Sequence, residues 1–295
     1  MISICIPIYN FDCTPLIQAL EEQILHCGSA IKIIAIDDGS DKVFEEINKK
    51  ILLKHNYIEL PKNIGRAKIR NLFLKHTDDK YLLYLDCDVI VPSHFLKQYL
   101  SFIEQNNPKV ICGGRVYPKL LPEKNRRLSY LYGKKRESKV ALERNKAPNN
   151  AFMTNNFIIQ RSILKEHPFD EKLSEYGHED TLLGFELKKA GVPISHIENA
   201  VINGDIETNA EYLKKSVTAI ENLVLILENE TKKDQFIASV RLLDIYYNRL
   251  NSLARWAVKF FFLVTKRPLS KLLINGNISL TLFDFYKLGV LSEKV

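Results

Sequence analysis

The N-terminal half of the chain alternates two hydrophobic patterns. Ile2-Ser3-Ile4-Cys5-Ile6-Pro7-Ile8 is almost continuously apolar and reads as a strand covered on both faces. Ile31 to Ile36 and Tyr81 to Leu85 repeat it, with a shorter version at Tyr57 to Leu60. Between these runs the pattern is helical, over Thr14 to Leu25, Val43 to Leu53 and Gly65 to Lys75. Strands alternating with helices predict an α/β fold with a doubly wound, mostly parallel sheet and a Rossmann-like first half. A second unit begins near Val110, where Val110 to Val116 reads as a strand broken by Gly113-Gly114. A helix follows around Leu128 to Val140, then a strand over Asn155 to Ile159. Thr181 to Ala190 reads as a helix closed by Gly191, with extended segments at Ile194 to Ile197 and Ala200 to Ile202. Beyond Glu207 the period is helical: Leu213, Val217, Ile220, Leu223, Val224 and Leu227 form one stripe. Ile237, Val240, Leu243, Tyr247 and Leu250 form another. The expected division is 1–205, with halves 1–109 and 110–205, followed by a helical region 206–295.

Length and composition agree with that division. A chain of 295 residues suits one α/β domain plus a helical extension. Its apolar and charged fractions are those of an ordinary globular protein. Met1 runs straight into a strand-like segment, so no secretory leader is expected, and no apolar stretch is long enough to span a bilayer. The five cysteines are scattered and never form a C-x-x-C pair, which argues against a disulfide framework or a zinc site and for a reducing cytoplasm. Cys5 and Cys112 sit in apolar strand contexts and should be buried.

Charge is uneven. Arg115 to Lys146 holds eleven Lys/Arg against three Glu, a surplus of eight, while the whole chain carries +7. Such a segment suits an anionic partner, either a phosphate group or a membrane surface on the cytoplasmic side; a solvated helical face is the alternative. It carries no nucleic-acid-binding motif, so no nucleic-acid partner is expected. A second candidate contact lies at 255–267, where Ala257 to Val264 is more apolar than a surface helix should be and is flanked by Arg255, Lys266 and Arg267. Packing on the core is expected there ahead of a membrane interface.

Candidate chemistry sits at the strand ends. Tyr81 to Leu85 runs into Asp86-Cys87-Asp88, and successive strand residues alternate faces, so Asp86 and Asp88 should project together with Cys87 opposite. Two carboxylates on one face can hold a hard divalent cation and bridge it to phosphate. Asp37-Asp38-Gly39-Ser40 ends another strand, and in open α/β sheets ligands bind outside the carboxyl ends of the strands.

The motifs in their order resemble the family 2 glycosyltransferases of the GT-A fold. They are Pro7-Ile8-Tyr9-Asn10, Asp37-Asp38-Gly39-Ser40, Asn63-Ile64-Gly65 through Arg70-Asn71, and Asp86-Cys87-Asp88. Pro168-Phe169-Asp170-Glu171 and Gly177-His178-Glu179-Asp180 follow, with Leu187 to Gly191 after them. The resemblance covers residues 1 to 205 and implies transfer of a sugar from a nucleotide diphosphate, with uridine favoured, to a hydroxyl of a glycan or lipid-linked acceptor. It implies Mn²⁺ or Mg²⁺ as cofactor, bound by Asp88 with Asp86 nearer the ribose. Asp38, Asn63 and Arg70 would contact the nucleotide, and Pro7 and Tyr9 would line the base pocket. Asp180 would be the base of an inverting displacement, with Glu179 supporting the acceptor or orienting the loop. Many relatives carry a histidine after the last strand; here the stretch is Ala200 to Asp205, so Asp205 is the alternative metal ligand. A nucleotidyltransferase and a non-catalytic sugar- or polyanion-binding protein are the rival readings. The former lacks its usual Gly-rich loop after strand one.

Overall fold

The computed structural model describes residues 1–28 and 30–295. The first half runs β1 (Ile2–Ile8), α1 (Thr14–Leu25), β2 (Ile31–Asp37), α2 (Lys42–Ile51), β3 (Asn56–Glu59), α3 (Arg66–Leu72), β4 (Tyr81–Leu85), β5 (Val89–Ile90) and α4 (Phe95–Asn106). The second half runs β6 (Val110–Cys112), β7 (Arg115–Val116), α5 (Arg127–Tyr132), α6 (Ala141–Arg144), β8 (Asn156–Gln160), α7 (Arg161–Glu166), α8 (Glu179–Lys189), β9 (Ile194–His196) and β10 (Val201–Asn203). Five helices follow: α9 (Asn209–Asn229), α10 (Lys233–Ser239), α11 (Arg241–Asp244), α12 (Ser252–Ile274) and α13 (Leu280–Lys294).

Seven strands form the main sheet in the order β3-β2-β1-β4-β8-β6-β9. β1, β2, β3 and β4 are parallel, as the alternation of strands and helices requires. The sheet is mostly parallel, as the sequence pattern suggested, with β8 alone reversed, antiparallel to both β4 and β6. The Gly113-Gly114 break ends β6, and β7 then joins β5 and β10 in a separate three-stranded sheet.

Strand alternation divides the core in two. Ile4, Ile6, Leu83, Leu85, Ile111 and Ile158 face α1 and α4. Cys5, Ile34, Ile36, Leu82, Tyr84 and Phe157 face α3, α7 and α8. Because both faces are covered, the strands read as apolar runs. A third core joins α9 through α13 to Leu128, Leu173, Leu182 and Phe185, so the C-terminal helices pack directly on the second half. All five cysteines are unbridged, and Cys5 and Cys112 are fully buried as anticipated.

Three expectations change. The helix anticipated over 128–140 ends at Tyr132 and continues only as a π-turn over Gly133–Glu137. The stripe over 237–250 is broken by the extended Val240 into α10, α11 and a second π-turn. The run 257–264 packs on the core through Phe262, while Phe260, Phe261, Leu263 and Val264 face outward. One turn of helix can bury only one face, and the inner face of α12 is set by Phe262, Leu269 and Leu273.

Phe262 determines how closely α12 approaches α13. A Cβ at Gly289 would lie 2.2 Å from the Phe262 ring, well inside van der Waals contact. Gly289→Ala must therefore separate the helices or push Phe262 off its rotamer. It should cost about 1–3 kcal/mol, read as a lower urea midpoint with unchanged m-value.

Candidate active site

The ends of the parallel strands carry the acids. β1 and β2 are in register at Ile8 and Asp37, so Tyr9 and Asn10 leave the sheet beside Asp37-Asp38. Asn10 takes a left-handed conformation, with its N–H donating to the Ser40 hydroxyl and its amide oxygen accepting from the Asp41 N–H. Asp37 is fully buried and accepts from the Ser40 N–H at 2.7 Å and from the Tyr57 hydroxyl at 3.1 Å. Asp38 accepts from the backbone N–H groups of Ile64 at 2.7 Å and Gly65 at 3.3 Å. Burial pushes its carboxyl above the usual range, and those two bonds oppose the rise. Both acids thus brace loops, Asp38 fixing the turn that precedes α3. Gly65 is required there, with φ of +90° and a carbonyl oxygen of Ser174 2.7 Å from where a Cβ would sit. Asn63 is exposed and closes the same turn through its own side chain. Pro7 is half-buried and Tyr9 largely exposed, both at the same strand end.

α3 then delivers two arginines to one cluster. Arg66 donates from Nε to Glu179 at 2.8 Å and reaches Asp86 at 3.5 Å. Arg70 donates to Asp86 at 3.0 Å and to Glu179 at 3.4 Å. Arg70 is nearly inaccessible, lying over the Phe169 ring, and Arg66 lies over Tyr176. The spacing of four places both guanidiniums on one side of the helix. Arg70, expected at the nucleotide, is held by two carboxylates, the partners a buried guanidinium needs. Arg66, which the sequence reading passed over, is the more accessible of the two. Its signal was its position one turn ahead of Arg70. The next residue, Asn71, clamps Phe169 through its N–H and carbonyl and also donates to Glu171, so the Pro168 to Glu171 motif is tied to α3.

Glu179 and Asp180 open α8 but have different surroundings. Burial alone would raise the Glu179 carboxyl; the Arg66 and Arg70 charges hold it below the ordinary value. Among the described residues Asp180 has no cationic hydrogen-bond partner and accepts only from the Thr181 N–H at 2.7 Å and hydroxyl at 3.3 Å. Burial, and then the neighbouring Glu179 charge, push it up to about 6. His178 bonds to Thr181 at 3.0 Å, and burial lowers its ring to about 4, so it is neutral at pH 7.

β4 ends at Leu85, so Asp86 and Asp88 occupy a turn after the strand. Cys87, in the same turn, packs against the core. Burial, and then the Asp86 charge, push Asp88 up to about 6. Asp205 is exposed beside Arg126, but the neighbouring Gly204 N–H donates to the Asp88 carbonyl at 2.9 Å, so the loop carrying it borders the acids. Among the described residues no three His, Cys, Asp or Glu side chains stand together in metal-ligand geometry. Two adjacent carboxylates nevertheless fit a cation that completes its shell with substrate phosphate and water. Asn155, whose carbonyl accepts from the Asp86 N–H, is buried with both ends of its amide unpaired among the described residues.

Three of the eleven cations of the 115–146 segment are engaged inside the fold. Arg115 pairs with Glu137 at 2.5 Å, Arg136 with Asp284 at 3.0 Å, and Arg144 is buried against the carbonyls of Gly113 and Ile197. These guanidiniums satisfy carbonyls and carboxylates at loop crossings, while Lys119, Lys124, Lys134, Lys135, Lys139 and Lys146 stay exposed. A broad groove lined by Met1, Glu22, Gln23 and Lys97 lies at the opposite end of β1 from Asp37.

The family model described as Glycosyl transferase family 2 matches residues 3–167. An uncharacterized glycosyltransferase of Rickettsia felis is 32% identical over 112 residues, covering 36% of this chain and 18% of that protein. The poly(ribitol-phosphate) beta-N-acetylglucosaminyltransferase TarS of Staphylococcus aureus is 26% identical over 115 residues, covering 37% of this chain and 20% of that protein. The matched stretches span about a fifth of these relatives. Among solved structures, S. aureus TarS in complex with UDP-GlcNAc has a TM-score of 0.53 at 16% identity, covering 98% of this chain and 90% of that one. The mannosyltransferase PcManGT from Pyrobaculum calidifontis, in complex with GDP-Man and Mn²⁺, gives 0.57 at 10% identity, covering 99% and 86%. At such identities the likeness is one of fold, and it bears out the GT-A architecture.

Two stability measurements test this geometry. Arg70→Met leaves Asp86 and Glu179 short of a buried partner and should cost about 3–5 kcal/mol, partly recovered by adding Glu179→Gln. Asp180 behaves oppositely. Its native pKa of about 6 lies above the ordinary 3.8, so the folded state binds more protons in that window and stability falls as pH rises through it. Asp180→Asn keeps the acceptor for Thr181 and should raise the thermal midpoint at pH 7.5, with no gain below about pH 4.

Proposed function

The chain belongs to the family 2 glycosyltransferases, and we propose that it moves a sugar, with inversion, from a uridine diphosphate carrier to a hydroxyl of a glycan or lipid-linked acceptor. Residues 1–205 would form the catalytic unit. The observation that carries this reading is the Arg66–Arg70 cluster, which joins Asp86 on the donor side to the Glu179-Asp180 pair on the acceptor side. Membership of the family sets the nucleotidyltransferase reading aside.

A divalent cation, Mn²⁺ or Mg²⁺, held by Asp88 with Asp86 beside it would neutralise the diphosphate as it leaves. Arg70 keeps Asp86 in place, and Arg66 is exposed enough to meet a phosphate as well. Asp38 and Asn63 shape the turn against which the nucleoside would rest, with Pro7 and Tyr9 at its edge. The unpaired Asn155 amide offers a donor and an acceptor to a sugar hydroxyl, since such buried groups ordinarily have a partner. Asp180 takes the proton from the acceptor hydroxyl. At about 6 its carboxyl is ionised at pH 7.5 yet more basic than an ordinary aspartate, which suits a general base. Glu179, locked by two arginines, cannot accept that proton as readily and instead orients the start of α8.

Uridine is favoured because the TarS relative is solved with UDP-GlcNAc; the mannosyltransferase solved with GDP-Man makes guanosine the competing donor. The test is thermal stability with UDP, GDP or CDP, each with and without Mn²⁺, on wild type and Asp88→Ala. A ligand at about 100-fold its Kd adds about 2.7 kcal/mol. UDP stabilisation that requires Mn²⁺ and vanishes in Asp88→Ala is the expected result. No shift with any nucleotide would leave the non-catalytic sugar- or polyanion-binding reading. Asp180→Asn should keep the nucleotide shift but lose about 10²–10⁴-fold in kcat, and wild-type kcat/KM should fall as pH drops through about 6.

A further inference from the structure

The outer face of α12 is apolar where a water-facing helix is polar. Leu253, Trp256, Phe260, Phe261, Leu263 and Val264 are 50–74% exposed. At 100° per residue, Leu253, Trp256, Phe260, Leu263 and Val264 lie on the side opposite Phe262, Leu269 and Leu273, which are buried. Trp256 and Phe260 stack face to face, with centroids 5.5 Å apart and planes within 9°, so the two rings pack together on this exposed face. Contiguous exposed apolar surface of this kind marks an interaction site.

Charge identifies the occupant. α12 contains five Lys/Arg and no Asp or Glu. Arg255 lies over the rings of Tyr246 and Tyr247, and Lys266 pairs with Glu293. Lys259, Arg267 and Lys271 have no carboxylate partner among the described residues, and Arg267 and Lys271 continue the apolar stripe. A second copy is disfavoured, because an isologous contact sets a patch against itself and would oppose these cations to each other. An aromatic face bordered by Lys and Arg matches the boundary between lipid headgroups and acyl chains. No helix of the described residues is long and apolar enough to cross a membrane, so the contact would be peripheral.

We propose that the outer face of α12 seats on a bilayer containing anionic lipid, with Trp256 and Phe260 at the headgroup level and Lys259, Arg267 and Lys271 on the phosphates. The proposal is independent of the transferase reading. Trp256 is the chain's one tryptophan, so its emission reports this face alone. The full chain is titrated with vesicles of phosphatidylcholine containing phosphatidylglycerol, and with phosphatidylcholine alone, following emission and co-sedimentation. The expected result is a blue shift and co-sedimentation on the anionic vesicles only. Replacing Lys259, Arg267 and Lys271 with Gln should weaken binding roughly a hundredfold. The exposed triple Phe260→Ser, Leu263→Ser, Val264→Ser should abolish it while the far-UV melting curve stays unchanged. Unshifted emission and no sedimentation with anionic vesicles would overturn the proposal. So would a blue shift that grows with protein concentration in the absence of lipid, which would assign the face to a second copy.

Discussion

Two arginines one helical turn apart hold two carboxylates from distant parts of the chain, and the geometry of the site depends on that contact. Asp86 follows β4, Glu179 opens α8, and α3 supplies Arg66 and Arg70 between them. Arg70 and Glu179 are nearly dry, and each of these two charges is tolerable only because the cluster supplies it with partners. Loss of any one member would leave each ion it paired with one partner short, so the segments are locked in register with one another. Phe169 packs against the Arg70 guanidinium and Tyr176 against that of Arg66.

The cluster also divides labour between adjacent acids. Glu179 takes the arginines and becomes a weak base, while Asp180, one residue on, lacks such a partner and feels Glu179's charge. A hundred degrees of helix rotation separates their environments. The result is a carboxylate that costs stability at neutral pH, as a group arranged for proton transfer commonly does.

The C-terminal helices stand in a different relation to the sheet. They share a core with Leu128, Leu173, Leu182 and Phe185, and Asn209 at the start of α9 hydrogen-bonds the carbonyls of Lys124 and Ile274. The end of α12 is thereby fastened near the loop that carries Asp205, while its first half projects an apolar face away from the core. One helix thus both closes the fold and presents a surface.

The parallel strands were legible in the sequence because burial on both faces leaves an uninterrupted apolar run, as in Ile2–Ile8 and Tyr81–Leu85. The acids at strand ends were legible too, since Asp37-Asp38 and Asp86-x-Asp88 interrupt those runs at the point where an α/β sheet binds ligands. The reversed direction of β8 was not, because an apolar strand of five residues reads the same in either orientation. The pairing of Arg70 with Asp86 and Glu179, the internal use of Arg115, Arg136 and Arg144, and the outward turn of Phe260 were decided only by the tertiary structure. Each depends on which side chains meet once the chain is folded, and partners separated by as many as 148 residues leave no periodicity for a local pattern to reveal.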